Sequence, residues 1–480
     1  MSSVNVKTVQ PVLRTAEGAV ATRIQPLQQL IRSVMACMLW EDNFYESGVS
    51  ISDRIAALVH QVSLPQAAAV AIEAREQMHL RHAPLWIVRA MANHPRRAEC
   101  PGVIADTLAR IIQRADELNE FVAMYWKSDK QPLSAQVKKG LARAFTKFDE
   151  HQLAKYNRSK DVKLRDVLFL CHSKPADVPP GSVWNKAARA AYASYPEGSA
   201  ARKRVLVQTG NGDGFTKGEL LYGKLIYDQL ATPDTWEVEL SKGGDKSIAW
   251  TRLLLEKKIG DLAFLRNLRN MLQAGISEFN LAAYGDMRRW SRVLPFRFLA
   301  AARMVPQMEP HLERWMFKAT EGIETLIGRT VLLIDVSGSM SSALSARSDL
   351  NRLDAAKALT ILLREQCADV SVYIFNSNTA HVPPRRGFAL ADAIGKAFGG
   401  TDTAQAVLIA RHHANAHDRM IILTDEQSAT YLPAALNGVR SYVINVAAER
   451  NGVGYGSWMH IDGFSEAVVQ YIIKHEAATE

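Results

Sequence analysis

The sequence VLLIDVSGSM, at residues 331–340, decides the fold class of the C-terminal part of the chain. Its first five residues, ending at Asp335, form a short apolar run, which is typical of a strand buried on both faces of a sheet. A Ser-Gly-Ser turn follows directly, and its small residues suit a tight exit from a strand. The stretch therefore predicts the first strand of an α/β domain, with polar groups at the strand's end.

Three more apolar runs follow the first one. Helical stretches lie between the runs, at residues 354–366 and 403–412. Alternation of buried strands with helices predicts a doubly wound parallel sheet of about 150 residues. We place this α/β domain at residues 327–480. The further runs occupy residues 370–375, 420–424 and 442–446.

Residues 1–326 have a helical pattern instead. Strand-like alternation of apolar and polar residues is absent there, which favours helix pairs packed in series, an α-solenoid. The span 175–224 is rich in Gly, Pro and Ser and is predicted to be an extended insertion or loop. The clearest apolar stripe has helical spacing, predicts a single helix and comprises Ile104, Leu108, Ile111, Ala115 and Leu118.

The net charge of +9 is unevenly spread along the chain. Residues 1–326 contain 45 Lys and Arg against 34 Asp and Glu, whereas residues 327–480 contain 13 against 15. A basic module of net charge +11 joined to a nearly neutral one is expected of a polyanion-binding protein, although solubility alone also produces it. No apolar run suits a membrane helix or a signal peptide, so we expect a cytoplasmic protein without membrane contact.

Polar residues gather where the predicted strands end. Asp335 ends the first apolar run and Asp425 follows the third, and ligands of open parallel sheets collect at this carboxyl edge. Carboxylates and hydroxyls are hard oxygen donors, which suit Mg²⁺ best, with Ca²⁺ or Mn²⁺ as alternatives, and are poor ligands for zinc. The hydroxyl donors of this candidate metal site are Ser337, Ser339 and Thr401.

Enzymatic interpretations fail at particular residues. Asp335 in DVSGS is superficially similar to the D-x-D-x-T nucleophile loop of haloacid-dehalogenase phosphatases, but Ser337 stands where the general acid and base would be. The chain also has no G-x-S-x-G elbow of a serine hydrolase. We therefore expect a protein that is not an enzyme.

A basic and aromatic segment, KYNRSKDVKLRDVLFLCH, occupies residues 155–172. If the chain is helical from residue 163, then Arg165, Phe169 and His172 share one stripe. Cations beside an aromatic ring and a histidine can pair with phosphates and stack on bases, although a solvated surface is the alternative. The candidate RNA-binding residues are Lys155, Arg158, Lys160, Arg165 and His172.

The metal motif resembles a known site. D-x-S-x-S at residues 335–339, a Thr after Gly399-Gly400, and T-D at residues 424–425 are similar to the metal-ion-dependent adhesion site of von Willebrand factor A domains. This resemblance implies a shell that an external carboxylate or phosphate completes. It implies that the metal ligands are Asp335, Ser337, Ser339, Thr401 and Asp425.

The helical part resembles the TROVE module of the Ro autoantigen family. In that family a HEAT-like repeat ring is closed by a von Willebrand factor A domain. The resemblance therefore implies an all-α HEAT-like ring at residues 1–326, followed by a doubly wound α/β domain at residues 327–480, in a bacterial Ro orthologue. The segments that carry it are Lys155-Tyr156, LRD at 164–166, His172, FLRNLRNM at 264–271 and VLPFRFLAAAR at 293–303.

The Ro resemblance also implies a function, which is non-enzymatic RNA binding by a monomer in RNA quality control or degradation. The implied partners are a small structured noncoding RNA similar to Y RNA, single-stranded ends of misfolded RNA that enter a basic central hole, and an exoribonuclease such as polynucleotide phosphorylase, with no DNA. Lys155 and His172 match family positions that contact Y RNA. Ser159 replaces an Arg of animal members, and either Arg158 or Lys160 is expected to supply that contact.

One alternative belongs to a different functional class. Adhesion-type metal sites grip acidic residues of proteins, and helical solenoids commonly bind proteins, so a protein-binding scaffold is the competing hypothesis. A pure scaffold would not need the net charge of +11 in the helical part.

Overall fold

The computed structural model of the chain describes residues 13–21, 24–35, 48–127, 130–157, 161–177, 194–209, 216–290, 293, 295–322, 324–343, 350–413, 418–447, 452–454, 456–463 and 467–477. The chain divides into two compact units. The first unit combines Met1–Ile55 with Asp245–Glu480, and the second unit is Ala56–Gly244. The sequence predicts a domain boundary at residue 326. The division into compact units does not test that boundary, which stays a prediction.

Helices dominate the chain up to residue 320, as the periodicity predicted. Before them, residues 13–21 form the N-terminal hairpin, which is closed by a bridge between Arg14 and Val20. Among the described helices, none combines the length and hydropathy that a membrane crossing needs. The helices are α1 Pro26–Met35, α2 Gly48–Val59, α3 Leu64–Glu76, α4 His82–Ala92, α5 Val103–Ile111, α6 Asp116–Tyr125, α7 Ala135–Phe145, α8 Glu150–Tyr156, α9 Leu164–Cys171, α10 Ala200–Thr209, α11 Lys217–Ile226, α12 Trp236–Ser241, α13 Lys246–Leu255, α14 Asp261–Gln273, α15 Glu278–Asp286, α16 Pro295–Met304 and α17 Glu309–Thr320.

The stripe that predicted a single helix is divided between α5 and α6. The buried Glu117 carboxylate accepts hydrogen bonds from the backbone N–H groups of Gln113 and Arg114, at 2.8 and 3.1 Å. Arg75 pairs with the same carboxylate at 2.8 Å. These contacts supply hydrogen-bond partners for the backbone N–H groups where the chain turns between α5 and α6. All five stripe residues are buried, so the pattern identified the core correctly but was wrong about helix continuity.

The span 175–224 is not simply an extended insertion, because it contains α10 and most of α11. A capping box starts α11. The Thr216 hydroxyl accepts from the Glu219 N–H at 3.2 Å, and the Glu219 carboxylate accepts from the Thr216 N–H at 2.8 Å. The T-x-x-E pattern is a helix-start signal that the sequence contains. The prediction of a loop was therefore wrong for these residues.

The C-terminal part is an α/β domain with the strands β1 Leu326–Asp335, β2 Cys367–Phe375, β3 Thr379–Val382, β4 Arg419–Thr424, β5 Arg440–Asn445 and β6 Met459–Asp462. They form one sheet in the order β3-β2-β1-β4-β5-β6. Four of these strands are the predicted apolar runs, which confirms the α/β class. The helices of this part are α18 Arg352–Gln366, α19 Gly387–Ile394, α20 Thr403–His413 and α21 Ala467–Ala477.

The sheet is mixed, which corrects the prediction of a purely parallel one. Strand β3 runs antiparallel to β2, while the other neighbouring pairs are parallel. Both β3 and β6 are four-residue strands at the edges of the sheet. An edge strand contacts one neighbour and is covered less completely, so it needs no continuous apolar run. The search for apolar runs therefore missed both of them.

Candidate functional site

The five predicted metal ligands lie at the carboxyl edge of the sheet. Strands β1 and β4 are adjacent and parallel, so the residues that end and follow them meet at this edge. All five residues are buried. Their exposed fractions are 0% for Asp335, 1% for Ser337, 5% for Ser339, 3% for Thr401 and 0% for Asp425.

The turn after β1 is held by its own polar groups. The Ser337 N–H donates to Asp335 Oδ1 at 2.8 Å, and the hydroxyl oxygens of Ser337 and Ser339 lie 3.3 Å apart. The Gly338 N–H donates to the Gly399 carbonyl at 2.9 Å, which joins this turn to the loop before α20. The two loops that carry the predicted hydroxyl ligands are therefore fixed to each other.

Two side chains that were not among the predicted ligands contact the carboxylates. The Thr424 hydroxyl donates to Asp335 Oδ2 at 2.6 Å, and Arg352 Nη1 donates to Asp425 Oδ2 at 3.2 Å. Burial, and then the negative charge of Asp425, raise the pKa of Asp335 to about 7. When both carboxyl groups are ionised, one buried guanidinium accompanies two negative charges, which leaves an excess of negative charge at the edge.

This donor set fits an oxygen-preferring divalent cation. Two carboxylates and three hydroxyls supply hard oxygen ligands, without a thiolate or an imidazole that would favour zinc. The excess negative charge would be offset by a bound cation. No group of three or more His, Cys, Asp or Glu side chains in the described part of the chain is arranged to hold a metal, so the two carboxylates at this edge would depend on hydroxyl ligands to complete a site.

The N-terminal hairpin supports the loop after β4. The Thr15 hydroxyl donates to the Ser428 carbonyl at 2.7 Å, and the Ala16 N–H donates to Gln427 Oε1 at 3.0 Å. The backbone N–H of Gln427 in turn donates to Asp425 Oδ1 at 3.2 Å. The N-terminal hairpin therefore helps to position Asp425, a predicted ligand, through Gln427, although the hairpin is far from both residues in sequence.

The residue after Asp425 belongs to a group of four buried charges, which we call the Arg32 cluster. Arg32 Nη1 donates to Glu426 Oε2 at 2.5 Å, and His460 Nε2 contacts the other oxygen of Glu426. His460 Nδ1 lies 3.3 Å from Asp462 Oδ2. The cluster thus pairs two basic side chains with two acidic ones inside the first unit.

The Arg32 cluster shifts the pKa values of its own members. Burial would raise the pKa of Glu426, but the charges of Arg32 and His460 outweigh it and lower that pKa to about 2. Burial would lower the pKa of His460, but Asp462 and Glu426 outweigh it and raise that pKa to about 9. Both side chains are therefore charged at neutral pH.

His460 is expected to make the free energy of unfolding fall at alkaline pH. Its folded-state pKa of about 9 lies above its ordinary value of 6.5, so its stabilisation is complete below pH 6.5 and is lost as the pH rises through 9. The full loss corresponds to about 3 kcal/mol. Urea unfolding of the wild type and of His460→Gln across this range measures the effect. An equal alkaline loss in both proteins would contradict it.

The candidate RNA-binding residues that the structure describes lie on α8 and α9, in the second unit. Asp228 accepts from Asn157 Nδ2 at 3.4 Å and from Arg165 Nη1 at 3.3 Å. This carboxylate therefore joins the end of α8 to the first turn of α9. Lys155 is partly exposed, and its Nζ lies 5.6 Å from the centre of the Tyr156 ring.

Exposed groups continue along α9. Phe169 is 41% exposed, and the exposed His172 follows the helix in a left-handed conformation, with φ of 53°. Arg158 and Lys160 lie outside the described residues. We define the α8–α9 surface as Lys155, Tyr156, Arg165, Phe169 and His172.

Two family models match the chain in the expected order. The TROVE domain model covers residues 226–324, and the Ro60 vWA domain model covers residues 329–448. The chain belongs to the Ro family. All five predicted metal ligands of this Ro-family chain lie in the second matched segment, whereas the α8–α9 surface lies before the first.

Known proteins share either the fold or a short segment of this Ro-family chain. The crystal structure of the Deinococcus radiodurans Ro (RSR) protein matches 93% of this chain and 98% of its own, with a TM-score of 0.57 and 17% identity, which concerns the fold. Telomerase protein component 1 is 39% identical over 90 residues in Mus musculus and 38% identical in Rattus norvegicus. These matches cover 18% of this chain and about 3% of the relatives' length.

Sequence reasoning missed the residues that support the predicted metal ligands of the Ro-family chain. Thr424 directly precedes Asp425, so a local signal for its role was present. The sequence contains no local signal for the roles of Arg352 and the N-terminal hairpin, because their partners in the loop after β4 are distant in sequence. Arg352 lies 73 positions from Asp425, and Thr15 lies 413 positions from Ser428.

Proposed function

We propose that this Ro-family chain is an RNA-binding protein that is not an enzyme. In this proposal it binds small structured noncoding RNAs similar to Y RNA and single-stranded ends of misfolded RNAs. It acts as a monomer in RNA quality control or degradation, beside an exoribonuclease such as polynucleotide phosphorylase.

The observation that carries this proposal is the α8–α9 surface. Lys155 and His172 can donate hydrogen bonds to phosphates, while Phe169 and Tyr156 offer rings for stacking on unpaired bases. Asp228 partly neutralises Arg165, so we assign Arg165 mainly to holding the two helices together. The net charge of +11 in residues 1–326 supports attraction of a polyanion to this part of the chain.

We also propose a divalent cation, Mg²⁺ before Ca²⁺ or Mn²⁺, at the edge of the sheet. When bound, the ion would supply a positive charge that attracts an external carboxylate or phosphate. The residues that would hold it are Asp335, Ser337, Ser339, Thr401 and Asp425.

A protein-binding scaffold is the second candidate, and the buried carboxylate and hydroxyl donors favour it, because such a site can grip an acidic residue. Ultraviolet crosslinking of the tagged chain in cells, followed by sequencing of copurified RNA, separates the two functions. RNA binding requires enrichment of small structured RNAs. Recovery of no RNA above background would favour the scaffold.

Replacing Lys155 and His172 together with Gln is expected to weaken binding of a hairpin RNA that has an internal loop by at least about tenfold. The reason is that hydrogen bonds to charged groups contribute about 1.5–3 kcal/mol each, and about 1.4 kcal/mol corresponds to tenfold. Binding of a single-stranded oligouridine should change much less. Fluorescence anisotropy titrations at two salt concentrations measure both affinities.

A matched control removes a Lys and a His from elsewhere in the second unit. Lys139 is exposed, and exposed His79 has φ of 54°, nearly the backbone conformation of His172. The variant Lys139→Gln/His79→Gln should keep the hairpin affinity of the wild type. In the Lys155→Gln/His172→Gln variant, the loss of Lys155 should also make the hairpin affinity less dependent on salt, by the release of about one counterion. Equal weakening by both double variants would remove the α8–α9 surface as a specific site.

A further inference from the structure

A cavity of about 400 Å³ lies between α14 and α16, within the first unit. This volume is in the range of small-molecule sites. Four arginines line the cavity, Arg266 and Arg269 from α14 and Arg297 and Arg303 from α16, and the lining residues that the structure describes include no Asp or Glu. All four lie in the segment that matches the TROVE domain model. The cavity is thus strongly basic and shares no residue with the α8–α9 surface or the metal ligands.

One of the four arginines is already neutralised. Arg303 donates two hydrogen bonds to the Asp354 carboxylate, at 3.0 and 2.5 Å. Asp354 lies in the first turn of α18, where it also accepts from the Asn351 N–H at 2.9 Å. Arg303 therefore forms a fixed part of the cavity wall.

The other three arginines have no such partner among the residues that the structure describes. Within the described part of the chain, no carboxylate lies within ion-pair distance of Arg266, Arg269 or Arg297. Arg269 Nη1 lies 3.6 Å from Met304 Sδ, and the Arg297 guanidinium lies 4.6 Å from the centre of the Phe296 ring. These are weak contacts for a guanidinium, so its strong donors stay available to an anion.

Arg266, Arg269 and Arg297 carry like charges, and all three are exposed. Partial burial, and then the positive charge of Arg266, lower the pKa of Arg297. Three like charges around one cavity destabilise each other, and a bound anion would offset that effect.

We propose that this cavity binds a phosphomonoester, the terminal phosphate of a nucleotide or of an RNA end. Guanidinium groups match phosphate oxygens with paired hydrogen bonds. A phosphomonoester carries a charge of about −1.5 to −2 near neutral pH, so it balances three guanidiniums better than the singly charged diester inside an RNA strand. The apolar lining residues would contact the attached nucleoside. For an RNA end, the inference rests on the proposed binding of single-stranded RNA ends and adds the group that is recognised; for a free nucleotide, it goes beyond the proposed function.

The first experiment compares adenosine 5′-monophosphate with adenosine by isothermal titration calorimetry on the full chain. The nucleotide should bind at least about tenfold more tightly, because only it offers charged hydrogen-bond acceptors. Arg297→Gln and Arg266→Gln should each remove most of this difference in affinity between the nucleotide and adenosine. The melting temperatures of both variants should stay close to that of the wild type. Arg385→Gln removes an exposed arginine before α19 and should leave binding unchanged.

The second experiment identifies the source of the phosphate. Single-stranded oligouridines are titrated with a 5′-phosphate, with a 3′-phosphate or with hydroxyls at both ends. Tighter binding of one phosphorylated oligouridine than of the mononucleotide assigns the cavity to RNA ends, and the reverse order assigns it to free nucleotides.

Two results would overturn the proposal. One is equal binding of phosphorylated and unphosphorylated probes, which would still leave RNA binding intact. The other is a phosphate preference that survives both Arg266→Gln and Arg297→Gln. If the chain bound the mononucleotide but no RNA, the proposed phosphate site in the cavity would be supported and the proposed RNA-binding function would be refuted.

Discussion

Replacing Arg32 with Met is expected to lower the free energy of unfolding of the first unit by about 3–5 kcal/mol. Arg32 and Glu426 are both fully buried and form a direct ion pair at 2.5 Å. Met has a similar length but no charge, so the Arg32 cluster would change from two charges of each sign to an excess of one negative charge. Urea unfolding at pH 7 measures the loss.

An exposed ion pair of the same unit provides the control. Arg386 pairs with Glu365 but is 62% exposed, so Arg386→Met should cost less than about 1 kcal/mol. The double variant Arg32→Met/Glu426→Gln should recover part of the loss, because it leaves His460 paired with Asp462. Similar small effects of Arg32→Met and Arg386→Met would show that the Arg32 cluster does not stabilise the fold.

Replacing Asp335 with Ala is expected to abolish the stabilisation of the chain by Mg²⁺. A ligand that binds only the folded state at 100 to 1,000 times its dissociation constant stabilises that state by about 3–4 kcal/mol. The variant lacks one of two carboxylates, and the hydroxyls alone hold the ion too weakly. Thermal melting with Mg²⁺ and with a chelator measures the difference in each protein.

The variant should fold, because ionised Asp335 is unfavourable in the metal-free protein, where burial and Asp425 raise its pKa. Its melting temperature without metal should stay close to that of the wild type, because the relief of charge repulsion offsets the loss of the hydrogen bonds from Ser337 and Thr424. Asp369→Ala removes a carboxylate that is 67% exposed on β2 and serves as the control. RNA binding should survive both changes. An equal response to Mg²⁺ in Asp335→Ala and the wild type would refute the metal site.

The position of the proposed metal ligands at the edge of the sheet could be predicted from the sequence, because local chain geometry places the strand ends and the turn after β1. A buried strand that ends in an acidic residue specifies both the edge of the sheet and the ligand, and Asp335 and Asp425 both follow this rule. The turn from Ser337 to Ser339 needed no further information, since its hydrogen bonds stay within a few residues.

Other features depend on contacts that no local pattern encodes. The break between α5 and α6 depends on Glu117 and Arg75, which are 42 positions apart. The edge strands β3 and β6 are stabilised by the neighbours they pair with rather than by an apolar run of their own. The arginine-lined cavity was also missed, although its two motifs were identified, because only folding brings α14 and α16 together.

The contacts of the N-terminal hairpin and Arg32 set an order for folding during synthesis. Thr15 and its partner Ser428 are 413 positions apart, and Arg32 and Glu426 are 394 apart. At roughly 5–20 residues per second, a ribosome needs roughly 20–80 s to add that length. The second unit is continuous in sequence and can fold within this interval. The N-terminal hairpin and Arg32 therefore leave the ribosome long before their partners Ser428 and Glu426, and until then their apolar and charged side chains stay accessible to chaperones.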